Sequence, residues 1–128
     1  MAGWRVIGGK NHYFKSLWEI RYAHWLQYQK DKGWIIDWKY EPKTFWFYGI
    51  RRGCVSYKPD FQVFGDIGYE TGWYWVEVKG YMDARSATKI KRFKKYFPQE
   101  ELRIVDKNFF KNNNAKLRLL IPAWESWR

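Results

Sequence analysis

Cysteine, histidine and acid are all scarce in this chain. One cysteine, Cys54, stands among 128 residues, which excludes an internal disulfide and points to a reducing compartment. Two histidines beside that thiol are too few nitrogen and sulfur ligands for a structural zinc site, so any metal should be held by oxygen. No apolar run approaches the roughly 20 residues that span a bilayer. The opening Met1-Ala2-Gly3-Trp4-Arg5 lacks the apolar stretch of a secretory leader, so a cytoplasmic chain without membrane attachment is expected. Repeats, linkers and low-complexity segments are missing too, which favours one domain over residues 1–128. Acids number 13 against 24 Lys and Arg, a formal net charge of +11.

That imbalance favours a polyanionic partner, of which nucleic acid is the commonest. Hydrophobic residues at 46% and charged residues at 29% fit a globular chain with a core rather than a disordered one. Aromatics are abundant, with 10 Trp, 10 Tyr and 9 Phe. Most should be core, since each buries a large area; a few can serve as stacking platforms or wedges for bases.

Residues 1–15, basic and containing Gly8-Gly9-Lys10, read as an arm or loop. Ser16 caps a helix running to about Lys30 and stopping before Gly33, with Glu19 as capping-box partner. Its apolar arc is Trp18, Tyr22, Trp25 and Leu26. Glu19 falls inside that arc or at its rim, an expensive place for a carboxylate without a partner; it is either a capping-box glutamate or a functional acid. Aromatic and β-branched residues then predict a strand from Trp34 to Tyr40 and, past Pro42, a second from Thr44 to Tyr48. Strands over 55–64 and 73–79 flank a loop from Gly65 to Gly72. A helix over Ala84–Tyr96, with Ala87, Ile90, Phe93 and Phe97 as its apolar stripe, leads to a strand at 102–105, as in a crossover unit. Residues 108–128, with Trp124 and Trp127, are an extension without a structural assignment. A mixed α/β fold, a central sheet flanked by helices, is the expectation.

Two segments carry chemistry: Tyr57-Lys58-Pro59-Asp60-Phe61 and Trp75-Val76-Glu77-Val78-Lys79-Gly80. Alternate strand residues share a face, so Trp73, Trp75, Glu77 and Lys79 point one way and Tyr74, Val76 and Val78 the other. If the two strands form a hairpin, Asp60, Glu77 and Lys79 converge. Two carboxylates suit Mg²⁺, which takes one or two of them and keeps several waters. Lys79 can position a water or neutralise charge developing on a phosphate. The alternative is that Glu77 and Lys79 form a solvent-facing pair on the sheet. His12 and His24 are candidate general bases in principle, with His24 read as solvated.

Pro59-Asp60 followed by Glu77-Val78-Lys79 resembles the PD-(D/E)XK nuclease signature without substitution at any signature position. Glu19 resembles the extra acid many members carry on the preceding helix. Tyr13-Phe14-Lys15-Ser16-Leu17-Trp18-Glu19 and Tyr40-Glu41-Pro42 are similar to small phage-encoded nucleases of this superfamily, some described as Holliday-junction resolvases. The resemblance covers about residues 10 to 107. It implies a restriction-endonuclease-like core and a Mg²⁺- or Mn²⁺-dependent DNA endonuclease leaving a 5′-phosphate. It further implies that Asp60, Glu77 and the Val78 carbonyl ligate metal, with Glu19 at a second metal or its waters and Lys79 at the attacking water. Gln62 then touches the scissile phosphate, or is a surface glutamine. A resolvase cuts two strands and works as a homodimer on branched DNA.

The second helix, with Arg85, Lys89, Arg92, Lys94 and Lys95, reads as a backbone-binding surface, which Lys10, Lys15, Arg51 and Arg52 extend. The plainer alternative for each is a solvated cation. Other functional readings are a repair or genome-degrading nuclease without junction preference, a nuclease acting on RNA, and a non-catalytic DNA-binding protein on a nuclease scaffold.

Overall fold

The computed structural model describes residues 3–65 and 72–124; positions 66–71 of the expected loop, and Trp127, lie outside the described residues. The amino-terminal segment is not an arm. It is a hairpin of β1 (Gly3–Ile7) and β2 (Lys10–Phe14), paired from Gly3↔Phe14 to Ile7↔Lys10. Gly8 and Gly9, both at positive φ (65° and 78°), make the two-residue turn that suits the twist of antiparallel strands.

Ser16 opens α1 (Leu17–Asp31), its hydroxyl accepting from the Glu19 amide at 3.1 Å, as a helix start requires. The helix closes as expected before Gly33. Trp34 N donates to Gln29 O (2.9 Å) and Gly33 N to Lys30 O (3.0 Å), with Gly33 at φ 76°, a Schellman closure. The expected apolar arc is incomplete, because α1 lies between the central sheet and the β1–β2 hairpin. Leu17, Glu19, Ile20, Arg21, Tyr22, Ala23 and Leu26 are buried, while Trp18 and Trp25 are half-buried. His24, expected in solvent, is half-buried too.

The central sheet runs β3–β6–β7–β8. Strands β3 (Asp37–Tyr40), β6 (Phe61–Phe64) and β7 (Trp73–Lys79) are antiparallel neighbours, and β8 (Leu102–Asp106) joins β7 in parallel. Helix α2 (Ala84–Tyr96) forms the crossover between them. The expected mixed α/β architecture is therefore present. One face of the sheet (Phe61, Val63, Tyr74, Val76, Val78) packs on α1 and on α3 (Lys107–Leu120). The other face puts Trp75 and Trp73 against Phe93 and Phe97 of α2 and its end, which confirms the alternation expected along β7. Among the described residues no helix is long and apolar enough to cross a membrane.

Three further expectations change. The strand over 55–64 splits into β5 (Ser56–Tyr57) and β6: Pro59 has no amide to give a ladder, and the chain turns there. Strand β4 (Phe45–Trp46) is shorter than expected and pairs only with β5, as a separate ribbon. Ala87 is exposed, so the buried stripe of α2 is Ile90 and Phe93, with Phe97 half-buried. The unassigned extension is largely α3, capped by the Asp106 carboxylate on the Asn108 amide, and Phe110, Leu117 and Trp124 enter the core.

Candidate active site

The break before β6 builds the site. The β6–β7 register begins at Phe61↔Val76, so one further step sets Asp60 opposite Glu77. Asp60 leaves the ladder but stays anchored at both sides. Its carbonyl accepts from the Glu41 amide at 2.7 Å, and its Oδ2 accepts from the Val78 amide at 2.7 Å. Both carboxylates are buried, Asp60 at 3% and Glu77 at 6% exposure. Glu77 takes a 2.6 Å hydrogen bond from the Tyr57 hydroxyl, and the Lys79 ammonium lies 3.7 Å from its other oxygen. The solvent-facing reading of Glu77 thus fails, because α2 and the β4–β5 ribbon cover this face of the sheet.

Glu19 closes the helix start and also lines the cavity beside the acidic pair. Its Oε1 accepts from the Lys15 amide (3.1 Å), closing the helix start one residue earlier than a standard capping box. The same oxygen accepts from the Tyr40 hydroxyl at 2.6 Å. Lys15 also reaches Glu41 with its ammonium at 2.7 Å, and Glu41 adopts a left-handed backbone (φ 47°), uncommon for a residue other than glycine. Glu19, Glu41, Asp60 and Glu77 all line one cavity of about 510 Å³, together with Lys15, Lys58, Lys79 and Lys89.

Electrostatics mark the acidic pair. Burial is the main cause that raises Asp60 to about 8, with Glu77 and Glu19 adding repulsion against the opposing Val78 amide and Lys15. Glu77 is raised as well, again chiefly by burial, although the Tyr57 hydroxyl, Lys79 and Lys15 pull it down. Tyr57 and Tyr40 are pushed up by burial and by the carboxylates they serve, which keeps both phenols protonated as donors. Burial works against the charge of Lys15, but Glu41, Glu19 and Asp60 outweigh it and raise its pKa.

Two adjacent buried carboxylates at the wall of an open cavity fit a hard divalent cation such as Mg²⁺ or Mn²⁺. Among the described residues no group of three His, Cys, Asp or Glu side chains is set to hold a metal ion. The fit therefore rests on the Asp60–Glu77 pair.

The structure brings together Glu19, Asp60, Glu77, Lys79, Lys15 and Lys89, and it does not bring in the remaining sequence candidates. Val78 contributes its amide to Asp60 but does not line the cavity. Gln62 is paired opposite Trp75, further up the sheet and outside the cavity wall. Arg92 is occupied holding the Cys54 carbonyl at 2.7 Å, a tie between α2 and the β4–β5 segment rather than a free phosphate contact. Lys94 lines a different depression, beside Met82 and Ile104, and Lys95 lies over the Tyr96 ring. Arg51, Arg52 and Arg85 are exposed away from the cavity wall, and Lys10 borders another cavity with His12. Neither histidine lines the acidic cavity; burial, then Lys10, lowers the pKa of His12.

Residues missed in the sequence are Tyr57, Tyr40 and Glu41. Tyr57 holds Glu77 and Tyr40 holds Glu19, contacts between residues 20 and 21 positions apart that no local pattern signals. No protein-family model, curated protein or solved structure matches this chain, so what the site can do is argued from these residues alone.

Proposed function

We propose that this chain is a divalent-metal-dependent nuclease of the PD-(D/E)XK kind, hydrolysing phosphodiester bonds in DNA. The proposal includes a restriction-endonuclease-like core, branched DNA as preferred substrate and a homodimer as working unit. One observation carries it: Asp60 and Glu77 are buried side by side, with Lys79 3.7 Å from Glu77, in a cavity rimmed by lysines. The order of helix, antiparallel strands, crossover helix and parallel strand supports the finer fold reading.

Mg²⁺ or Mn²⁺ held by Asp60 and Glu77 would shield the phosphate, acidify a water and stabilise the leaving oxygen. The protein's own groups do the rest. Lys79 places positive charge where the phosphate gains negative charge. Lys15, Lys58 and Lys89 bind flanking phosphates, and the net charge of +11 draws the polyanion in. Tyr57 and Tyr40 fix the rotamers of Glu77 and Glu19, and Glu19 orients water at the cavity wall.

Cleavage of a labelled four-way junction, a matched linear duplex and a single strand, each with Mg²⁺ and with chelator, tests this. Paired nicks confined to the junction and lost with chelator are expected. Equal cutting of all three would keep the nuclease and remove the junction preference. Tight binding without cutting in either metal would overturn the enzyme reading in favour of a DNA-binding protein.

A further inference from the structure

The ribbon beside the acidic cavity presents its aromatic residues in an unusual way. Strand β4 covers only Phe45 and Trp46, but burial alternates through Phe45-Trp46-Phe47-Tyr48 into the turn that follows. Phe45 and Phe47 are each 2% exposed, whereas Trp46 is 54% and Tyr48 84% exposed. The inner pair is a firm mount: the Phe45 ring meets Trp75, Phe93 and Phe97 at centroid distances of 5.1, 4.8 and 4.8 Å. Beside this packed mount, Trp46 leaves about half of its surface, and Tyr48 most of its surface, in water.

Trp46 is also a shared wall. On one side it lines the acidic cavity. On the other it borders an open, largely apolar cavity of about 360 Å³ formed with Phe47, Tyr48, Ile50 and Val55. Trp46 lines the same cavity as Asp60 and Glu77, so a base flanking a phosphate held by that pair is within the reach of its indole. In continuous duplex that base is paired and stacked inward. An unpaired base is free to lie on the indole, and aromatic side chains stack any base because every base has a π-face. Arg51 and Arg52, exposed one and two residues beyond Ile50 of that cavity wall, add positive charge to the same end of the ribbon.

We infer that Trp46 and the cavity behind it hold an unpaired nucleobase next to the scissile phosphate. The substrate is then a nucleic-acid strand with at least one unstacked nucleotide, as in a single strand or at a branch point. This rests on the nuclease reading for the position of the phosphate.

The test uses a single-stranded oligonucleotide carrying 2-aminopurine, with chelator present so that binding is read apart from cleavage. The matched duplex serves as competitor. The wild-type chain should quench the probe and prefer single strand. W46A should cut that preference about 10-fold and release the quench, while W46F keeps most of both. Tyr48→Ala, on the same outer face, is a second variant and should reduce the preference by a few-fold. Wild-type quench and preference in both W46A and Tyr48→Ala would overturn the inference, and cleavage in Mg²⁺ would then leave the nuclease reading standing. Quench and its loss in W46A, with no cleavage by the wild type, would leave the base site standing and remove the nuclease.

Discussion

Strand β7 meets acid at both ends of one face, and the two acidic spots are compensated differently. At the first end, Glu100 accepts from the indole N–H of Trp73 (3.2 Å) and of Trp75 (2.7 Å) on one oxygen. Two donors serve one half-buried carboxylate. At the second end, the deeply buried Asp60 and Glu77 share one amide, one phenol and an ammonium at 3.7 Å. Burial disfavours charge there, and the two acids repel each other. The first spot is a satisfied structural acid that ties the β8 approach to β7. The second is two mutually repelling carboxylates buried at the wall of an open cavity, a condition that favours binding a cation.

The comparison breaks most visibly under neutralisation. Asp60→Asn and Glu77→Gln should each lower cleavage about 100-fold or more while DNA binding is kept or tightened, because repulsion at the phosphate is removed. Glu100→Gln should leave cleavage within a few-fold and cost about 1 kcal/mol of stability, measured by urea unfolding.

Stability against pH sharpens the same contrast. Asp60 binds its proton more tightly in the folded chain, at about 8 against 3.8 ordinarily. Between about pH 4 and about pH 8 the native state then carries more protons than the unfolded chain, so metal-free stability falls as pH rises across that window. Urea midpoints at about pH 5 and about pH 8 should show this fall in the wild type and a smaller one in Asp60→Asn. Saturating Mg²⁺ should offset it, by binding the native state.

Tyr57→Phe removes the 2.6 Å bond to Glu77 without changing ring packing. It should reduce cleavage about 10-fold and stability by about 1 kcal/mol, read from kcat and the unfolding midpoint. Smallest are the lysine effects. Lys89→Ala, on the cavity wall, should weaken DNA binding and reduce the salt slope by about 1. Lys94→Ala, beside Met82 and Ile104, should leave both nearly unchanged.

Period and composition revealed the strongly patterned elements. The alternation of β7, the extent of α2 with Ile90 and Phe93 inward, and the Ser16 and Gly33 bounds of α1 were all legible, as was the shared face of Glu77 and Lys79. The hairpin of Gly3–Ile7 with Lys10–Phe14 was missed because Gly8-Gly9 was taken as loop; two glycines between alternating residues are equally the signature of a tight hairpin turn. The split at Pro59 was within reach, since proline has no amide for a ladder, but the bond of the Asp60 carboxylate to the Val78 amide that anchors the turn is a long-range event. Helix α3 was obscured by Asn112-Asn113-Asn114, residues with weak helix propensity, although Asp106 supplied a cap and Phe110 and Leu117 a spaced apolar pair. The clamps from Tyr57 and Tyr40 depend on which residues meet across the sheet, and no local pattern encodes that. Arg92 shows the reverse case: a basic residue in a charged run turned out to be tied to the Cys54 carbonyl.

The most direct test is Mn²⁺ binding followed by calorimetry in the wild type, Asp60→Asn, Glu77→Gln and Glu100→Gln. A saturable heat in the wild type and in Glu100→Gln, lost in Asp60→Asn and Glu77→Gln, is the result expected of a cation site built on the buried pair. Binding of equal affinity in Glu77→Gln and the wild type would contradict it and return Asp60 and Glu77 to a purely structural role.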